Sequence, residues 1–170
     1  KGLTKSLRII EKEFQNSQLI PAGKEGYRQC WLNTKNQGKP VEVCNLIGAV
    51  RGQDSAAAPI IIGAHLDHTI RSNKDARRSR KKKASKASLD QNDNAAGVSI
   101  LNEVARLMRS RQGLDRDILF VVFSGGETNQ SGATYFLQQR QKGSNKEIHA
   151  MINLDLTPST GQSAIELNGI

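Results

Sequence analysis

Hydrophobic residues recur along the chain at intervals that predict three helices. Apolar residues at positions 3, 7, 10 and 14 share one helical face and predict a helix over residues 3–14. The clearest pattern covers residues 95–109, where apolar positions three or four apart form one stripe and Gly113 follows as a stop. A third helix is predicted over residues 131–141. Each helix is therefore expected to bury one face against the rest of the protein.

Short apolar runs between these helices predict strands. Three of the runs are continuous enough to suit strands that are buried on both faces. They are residues 59–64, 117–123 and 148–154. Buried strands alternating with helices predict the α/β class, a three-layer sandwich whose mainly parallel central sheet carries helices on both faces. At 170 residues, the chain is expected to form a single domain over 1–170.

Two further strand-like runs, residues 27–33 and 41–50, contain the two cysteines of the chain. If these runs form a hairpin that is symmetric about residues 37–38, Cys30 and Cys44 face each other. A cross-strand disulfide would then form in an oxidising compartment. Because the sequence shows no secretion signal, two separate buried thiols are the favoured interpretation.

The positive charge of the chain is concentrated in one segment. Residues 71–86 contain nine basic residues and one acid, and so carry +8 of the net charge of +9. The polar, Ser- and Ala-rich composition around them predicts a flexible basic insertion over residues 71–88. The candidates for anion binding in this basic insertion are Arg77, Arg78, Arg80, Lys81, Lys82 and Lys83.

Three roles compete for the basic insertion. A solvated, disordered segment is the favoured interpretation. The second role is attraction of acidic peptides or of an acidic partner, and the third is contact with nucleic acid or an anionic membrane. The run contains no aromatic residue on which bases could stack, which disfavours nucleic acid. No apolar run approaches the ~20 residues that span a bilayer, so no transmembrane segment is predicted.

Side chains suited to metal binding follow the predicted strands. His65 comes directly after the first buried run, and Asp155 directly after the third. Glu127 follows the second run, and Asp93 opens the helix over 95–109. Strand ends in such folds meet at one edge of the sheet, so these residues are expected to converge. Imidazole and carboxylate are ligands of catalytic zinc sites.

Each of these residues also has an ordinary structural interpretation. A single histidine after a strand is more often a packed or surface residue than a ligand. Asp93 or Asn94 could cap the following helix, and Asp155 could cap a turn. The spacing of His65 and Asp67 strengthens the metal interpretation, because alternation along a strand points both side chains the same way. Asp67 could then orient the ring, as carboxylates do beside metal-binding imidazoles.

Four motifs in this order resemble the zinc-dependent exopeptidase family, which includes bacterial leucyl aminopeptidases, glutamate carboxypeptidase and glutaminyl cyclase. The motifs are GAHLDH, DNAAG, FSGGETNQSGA and MINLD, and the resemblance covers residues 45–169. It implies the fold of zinc aminopeptidases and phosphorylase/hydrolase-like proteins. It implies that His65 and Asp155 bind one zinc ion. It further implies that Asp93 bridges two zinc ions, that Glu127 binds the second, and that Asp67 orients His65.

The chain departs from the family pattern after the strand over 117–123. The family carries two adjacent glutamates there, a general base and then a metal ligand, whereas this chain has Gly126 and Glu127. Matching Gly132 to the family's glycine makes Glu127 the ligand and leaves Gly126 in the base position, without a carboxylate. A shift by one residue would make Glu127 the base and put Thr128 in place of a ligand.

The second departure concerns the histidine that, in the family, ligates the second zinc well downstream. No histidine follows Asp155 in this chain, and both His68 and His149 precede it. His149 lies inside the third buried run and is expected to be a packed residue. We therefore expect a C-terminally truncated or degenerate chain that binds one zinc ion rather than two.

Together these patterns predict a zinc-dependent aminopeptidase-type exopeptidase domain that hydrolyses N-terminal peptide bonds. Its activity is expected to be reduced or absent, because a positioned general base typically contributes ~10²–10⁴ in rate. The alternative is a non-catalytic binding or scaffold module that uses the basic insertion for an anionic partner. The expected ligand is a peptide substrate or a peptide-like ligand, and the resemblance implies a secreted or periplasmic protein.

Overall fold

The computed structural model describes residues 2–33, 40–67, 94–125, 131–143 and 147–155. The helices in this part of the chain are α1 (Gly2–Asn16), α2 (Ala95–Arg109) and α3 (Ser131–Gly143). The strands are β1 (Ile20–Pro21), β2 (Arg28–Asn33), β3 (Val41–Val50), β4 (Ile60–His65), β5 (Ile118–Phe123) and β6 (Ala150–Leu154). Every predicted helix and strand is present close to its predicted limits. The basic insertion over 71–88 lies outside the described residues.

The strands form one mixed sheet with the order β1-β3-β5-β4-β6, and β2 also pairs with β3. β3 runs antiparallel to β1, β2 and β5. β4 runs parallel to β5 on one side and to β6 on the other. The predicted α/β class is confirmed, with the parallel pairing confined to β5, β4 and β6 among the described strands. These three strands end at the same edge of the sheet, which brings together the residues that follow them.

Helices pack on both faces of the sheet and give the predicted three layers. One core cluster joins α1 and α2 to the sheet through residues such as Phe14, Leu101 and Phe120. The other cluster, on the opposite face, packs Phe136 of α3 against Val121. Alternation along β5 sends successive side chains to opposite faces, so both faces of this strand are buried as predicted. None of the helices in the described ranges is long and apolar enough to cross a membrane.

The prediction that β6 is a strand buried on both faces is wrong for the described residues. None of its five residues is buried, and Ile152 is 43% exposed. The reason is its place in the sheet, because β6 pairs with β4 alone among the described strands and forms their edge. His149, expected to be packed inside this strand, precedes it and is exposed.

The two cysteines form a disulfide across the β2–β3 hairpin. Cys30 and Cys44 are directly paired in the ladder, as the predicted hairpin symmetry requires, and their sulfur atoms are bonded. The favoured interpretation of two separate thiols is therefore wrong. The hairpin is attached to α3 by a stack of Trp31 on Tyr135, with ring centroids 4.8 Å apart. The Tyr135 hydroxyl also donates to the main-chain oxygen of Cys30, at 3.3 Å.

Candidate functional site

The carboxyl edge of the parallel strands brings His65 and Asp155 together. His65 is the last residue of β4, and Asp155 directly follows β6. The His65 Nε2 atom lies 3.4 Å from the Asp155 Oδ1 atom. The imidazole is largely enclosed, with 18% of its side chain exposed, whereas 59% of the Asp155 side chain is exposed. The pair is thus open to solvent on the carboxylate side.

A main-chain contact orients the His65 ring. Its Nδ1 atom lies 3.0 Å from the main-chain oxygen of Asp67. A carbonyl oxygen can only accept, so this hydrogen bond requires a proton on Nδ1. In the neutral ring the Nε2 lone pair then faces Asp155 and is available to a metal ion. The predicted orienting role of the Asp67 carboxylate stays a prediction.

The separation of these two atoms fits a pair of metal ligands. A normal N–H···O hydrogen bond is ~2.7–3.2 Å long, whereas Nε2 and Oδ1 are 3.4 Å apart. Two ligands bound tetrahedrally to zinc at ~2.0–2.2 Å lie about 3.4 Å from each other. The imidazole and the carboxylate therefore have both the chemistry and the spacing that a zinc ion requires of two neighbouring ligands.

Several predicted site residues lie outside the described residues, so their roles stay predictions. They are Asp93, Gly126, Glu127 and the six basic residues from Arg77 to Lys83. Within the described ranges, no group of three or more His, Cys, Asp or Glu residues could hold a metal ion. The described part of the site thus consists of His65 and Asp155.

Asn94 connects the start of α2 to the ends of β4 and β6. Its side-chain Nδ2 donates to the main-chain oxygen of Leu154 at 2.7 Å and to that of His65 at 3.3 Å. The residue is only 4% exposed. These bonds place Asn94, the second residue of the DNAAG motif, beside the two candidate ligands.

A second buried carboxamide supports the end of β5. Asn45, in the middle of β3, is fully buried. Its Oδ1 accepts from the main-chain N–H of Ser124 at 3.1 Å, and its Nδ2 donates to the main-chain oxygen of Gly132 at 2.9 Å. The Ser124 hydroxyl donates to the main-chain oxygen of Cys44 at 2.6 Å. Asn45 therefore holds the end of β5 against the start of α3.

The residues on either side of 126–130 are themselves hydrogen-bonded. The main-chain N–H of Ser131 donates to the main-chain oxygen of Gly125 at 3.0 Å. Gly132 is packed so tightly that an added Cβ would lie 2.1 Å from the Ser124 oxygen. The described residues Gly125 and Ser131 thus lie close together beside the carboxyl ends of the parallel strands.

Sequence reasoning missed both asparagines as supports of the site. Asn45 carried a usable signal, because a single polar residue interrupts the otherwise apolar run CNLIGAV in β3. Buried polar groups must find partners, so such an interruption indicates a specific hydrogen-bonding role. Asn94 was considered only as a helix cap.

A cavity of about 300 Å³ lies at the opposite end of the parallel strands from the candidate site. It is lined by residues that include Arg51, Asp117, Phe136 and Arg140. Asp117 precedes β5 and forms an ion pair with Arg51 at 2.5 Å. Burial lowers the pKa of Arg140, whose guanidinium lies 5.9 Å from the centre of the Phe136 ring. Because this cavity is at the amino ends of β4 and β5, it is separate from the candidate site.

Comparisons with known proteins agree with this arrangement. The sequence model of peptidase family M28 matches residues 45–166. Aminopeptidase YwaD of Bacillus subtilis (strain 168) is 29% identical over 76 residues, which is 45% of this chain and 16% of YwaD.

Solved structures show the same fold. Fimbriiglobus ruber glutaminyl cyclase superimposes with a TM-score of 0.66 and 22% identity, over 92% of this chain and 54% of that one. Legionella pneumophila LapA aminopeptidase gives a TM-score of 0.55 and 20% identity, over 88% and 35% respectively. The chain thus spans between about a third and a half of the length of these two solved structures, and less of YwaD.

Proposed function

The chain belongs to peptidase family M28, and we propose that it is a zinc-dependent, aminopeptidase-type exopeptidase domain with reduced or absent activity. The peptidase-type domain follows from the family; the metal, the reaction and its impairment are the proposal. The observation that carries it is the 3.4 Å separation of the His65 Nε2 and Asp155 Oδ1 atoms. This pair occupies the two positions at which the motifs predict ligands to one zinc ion.

The proposal gives individual residues the following roles. His65 and Asp155 hold one zinc ion, and the main-chain oxygen of Asp67 keeps the His65 Nε2 lone pair directed at it. Asp93 and Glu127 are assigned as further ligands by their motifs. When bound, zinc supplies a Lewis acid that activates water and polarises a peptide carbonyl. A peptide with a free amino terminus is the proposed substrate.

Gly126 limits this chemistry because it offers no carboxylate to accept a proton from the attacking water. Restoring one with Gly126→Glu is expected to raise hydrolysis of aminoacyl anilides by ~10²–10⁴-fold. Gly126→Gln is the matched control, since it adds similar bulk without a base. No gain in the Glu variant while zinc is bound would contradict the assignment of Gly126 to the base position.

Zinc binding tests the proposal before any assay of activity. Titration with a competing chromophoric chelator is expected to show zinc bound by the wild-type chain and binding lost in His65→Ala. The control variant His149→Ala removes the same group elsewhere, because it deletes an exposed imidazole that lies before β6. Equal zinc affinity in His65→Ala and His149→Ala would contradict the site.

The same fold is used by aminopeptidases and by a glutaminyl cyclase, so the fold alone does not select the reaction. The anilide assay therefore includes glutamine anilide, whose cyclisation gives a product distinct from that of hydrolysis. The second candidate function, a non-catalytic binding module, is favoured by Gly126. It predicts that zinc binds, that Gly126→Glu stays inactive on every substrate, and that an anionic partner binds with steep salt dependence.

A further inference from the structure

Asn94 occupies the N-cap position of α2 without using its side chain as a cap. An N-cap asparagine normally accepts a hydrogen bond from an N–H in the first turn of its helix, but Asn94 makes no such side-chain bond to α2. Its carboxamide instead donates to the carbonyls of His65 and Leu154. We propose that Asn94 is a positioning residue that sets the separation of His65 and Asp155. This role rests on the proposed metal site.

The two bonds lie where the pairing of β4 with β6 ends. The last ladder pair of these strands is Ala64 with Leu154, so Asp155 lies beyond the ladder. Nδ2 of Asn94 bonds the Leu154 oxygen at 2.7 Å and the His65 oxygen at 3.3 Å. One carboxamide thus bridges the residue before Asp155 and His65 itself. Movement of either strand end would stretch one of these bonds.

Close packing of α2 encloses this bridge. Asn94 is 4% exposed, and water cannot easily replace hydrogen bonds made at a buried group. An added Cβ on Gly97 would lie 2.2 Å from the Asn94 Oδ1 and 2.6 Å from the Leu154 oxygen. Glycine therefore allows the helix to approach the bridge. The main-chain oxygen of Asn94 also accepts from Val98 N–H at 3.1 Å, which ties the bridge to the first turn of α2.

The bridge affects zinc binding by fixing the relative positions of His65 and Asp155. A zinc ion tolerates little error in ligand position, and loss of a residue that orients ligands typically weakens metal affinity by ~10–100-fold. Removing the carboxamide should therefore weaken zinc binding although every ligand atom is retained. A residue that served only the stability of α2 would have no such effect on a chain that is still folded.

Two variants separate the bridge from helix capping. Asn94→Ser offers a side chain that caps helices well but is too short to reach the strands, whereas Asn94→Ala offers neither a cap nor a bridge. Val98→Ala is the matched control, because it deletes buried volume from the same helix and leaves the Asn94 carboxamide in place. Zinc dissociation constants are measured by chelator competition well below each unfolding midpoint. The absorption of bound cobalt(II) reports ligand geometry.

We expect zinc affinity to fall ~10–100-fold in both Asn94 variants, with a changed cobalt spectrum, and to be retained in Val98→Ala. If the wild-type chain binds zinc and the Asn94 variants bind it equally well, the positioning role is overturned while the proposed function stands. If the wild-type chain binds no zinc, the proposed function fails and this inference fails with it.

A measurement on the metal-free wild-type chain covers the case in which both Asn94 variants unfold. The side-chain amide protons of Asn94 should exchange slowly with solvent in NMR spectra, because both strand carbonyls accept from this buried group. Exchange as fast as that of an exposed asparagine would overturn the bridge.

Discussion

Breaking the Cys30–Cys44 disulfide is expected to lower the free energy of unfolding by about 3 kcal/mol. The two cysteines are 14 positions apart in the sequence. Cross-linking them restricts the unfolded chain, and a closed loop of about 15 residues corresponds to roughly 3 kcal/mol at 25 °C. In a chain of this length each kcal/mol shifts the unfolding midpoint by roughly 2–4 °C. The expected decrease is therefore about 6–12 °C.

The native contacts of the hairpin do not depend on the sulfur–sulfur bond. The stack of Trp31 on Tyr135 and the hydrogen bond from Ser124 to the Cys44 oxygen involve neither sulfur atom. The reduced chain should therefore fold to the same structure, with the loss confined to the entropy that the cross-link removed from the unfolded state.

Thermal unfolding followed by circular dichroism, with and without dithiothreitol, measures this difference. The double variant Cys30→Ala with Cys44→Ala is the control, since a reductant should not move its midpoint. Thiol titration confirms that the wild-type chain is reduced. If the fully reduced wild-type chain unfolds at the same temperature as the oxidised one, the cross-link does not contribute the expected stability.

Two further substitutions test contacts that hold the sheet edges. Gly132→Ala should destabilise the chain by ~1–3 kcal/mol, because its Cβ would lie 2.1 Å from the Ser124 oxygen. Gly2→Ala is the control and should be tolerated, because a Cβ at this position would have no atom within 4 Å. Equal midpoints of thermal unfolding for the two variants would contradict this expectation. Asp117→Ala should lower the free energy of unfolding by ~1–3 kcal/mol, because it removes the acceptor of both Arg51 and the Gly52 N–H. A decrease no larger than that of Asp115→Ala in urea unfolding would contradict this expectation.

Local patterns predicted the helices and strands of this chain well. The limits of α2 agree with the prediction because its apolar stripe is regular and Gly113 follows it. β4 and β5 were recognised as buried on both faces because their apolar runs are uninterrupted. These features depend on neighbouring residues alone.

Features that depend on distant parts of the chain were predicted less well. The run that forms β6 was predicted to be buried from its apolar residues, but its exposure follows from its place at the edge of the described sheet. Two separate thiols were expected because the sequence shows no secretion signal, whereas Cys30 and Cys44 are directly paired in the β2–β3 ladder and form a disulfide.

In the candidate site too, sequence motifs were informative and contacts between distant segments were not predicted. Motif order predicted that His65 and Asp155 converge, and they do. The roles of Asn45 and Asn94 required knowledge of which main-chain atoms lie within reach, because each joins segments that are far apart in the sequence. A pattern of residue types contains no such information.

The proposal that His65 and Asp155 share one zinc ion can be tested by anomalous diffraction at the zinc absorption edge, with crystals of the zinc-loaded chain. We predict one anomalous peak within ~2.0–2.2 Å of both the His65 Nε2 atom and an Asp155 carboxylate oxygen. Zinc bound elsewhere on the chain, or a zinc-loaded crystal in which this position shows no peak, would contradict the claim.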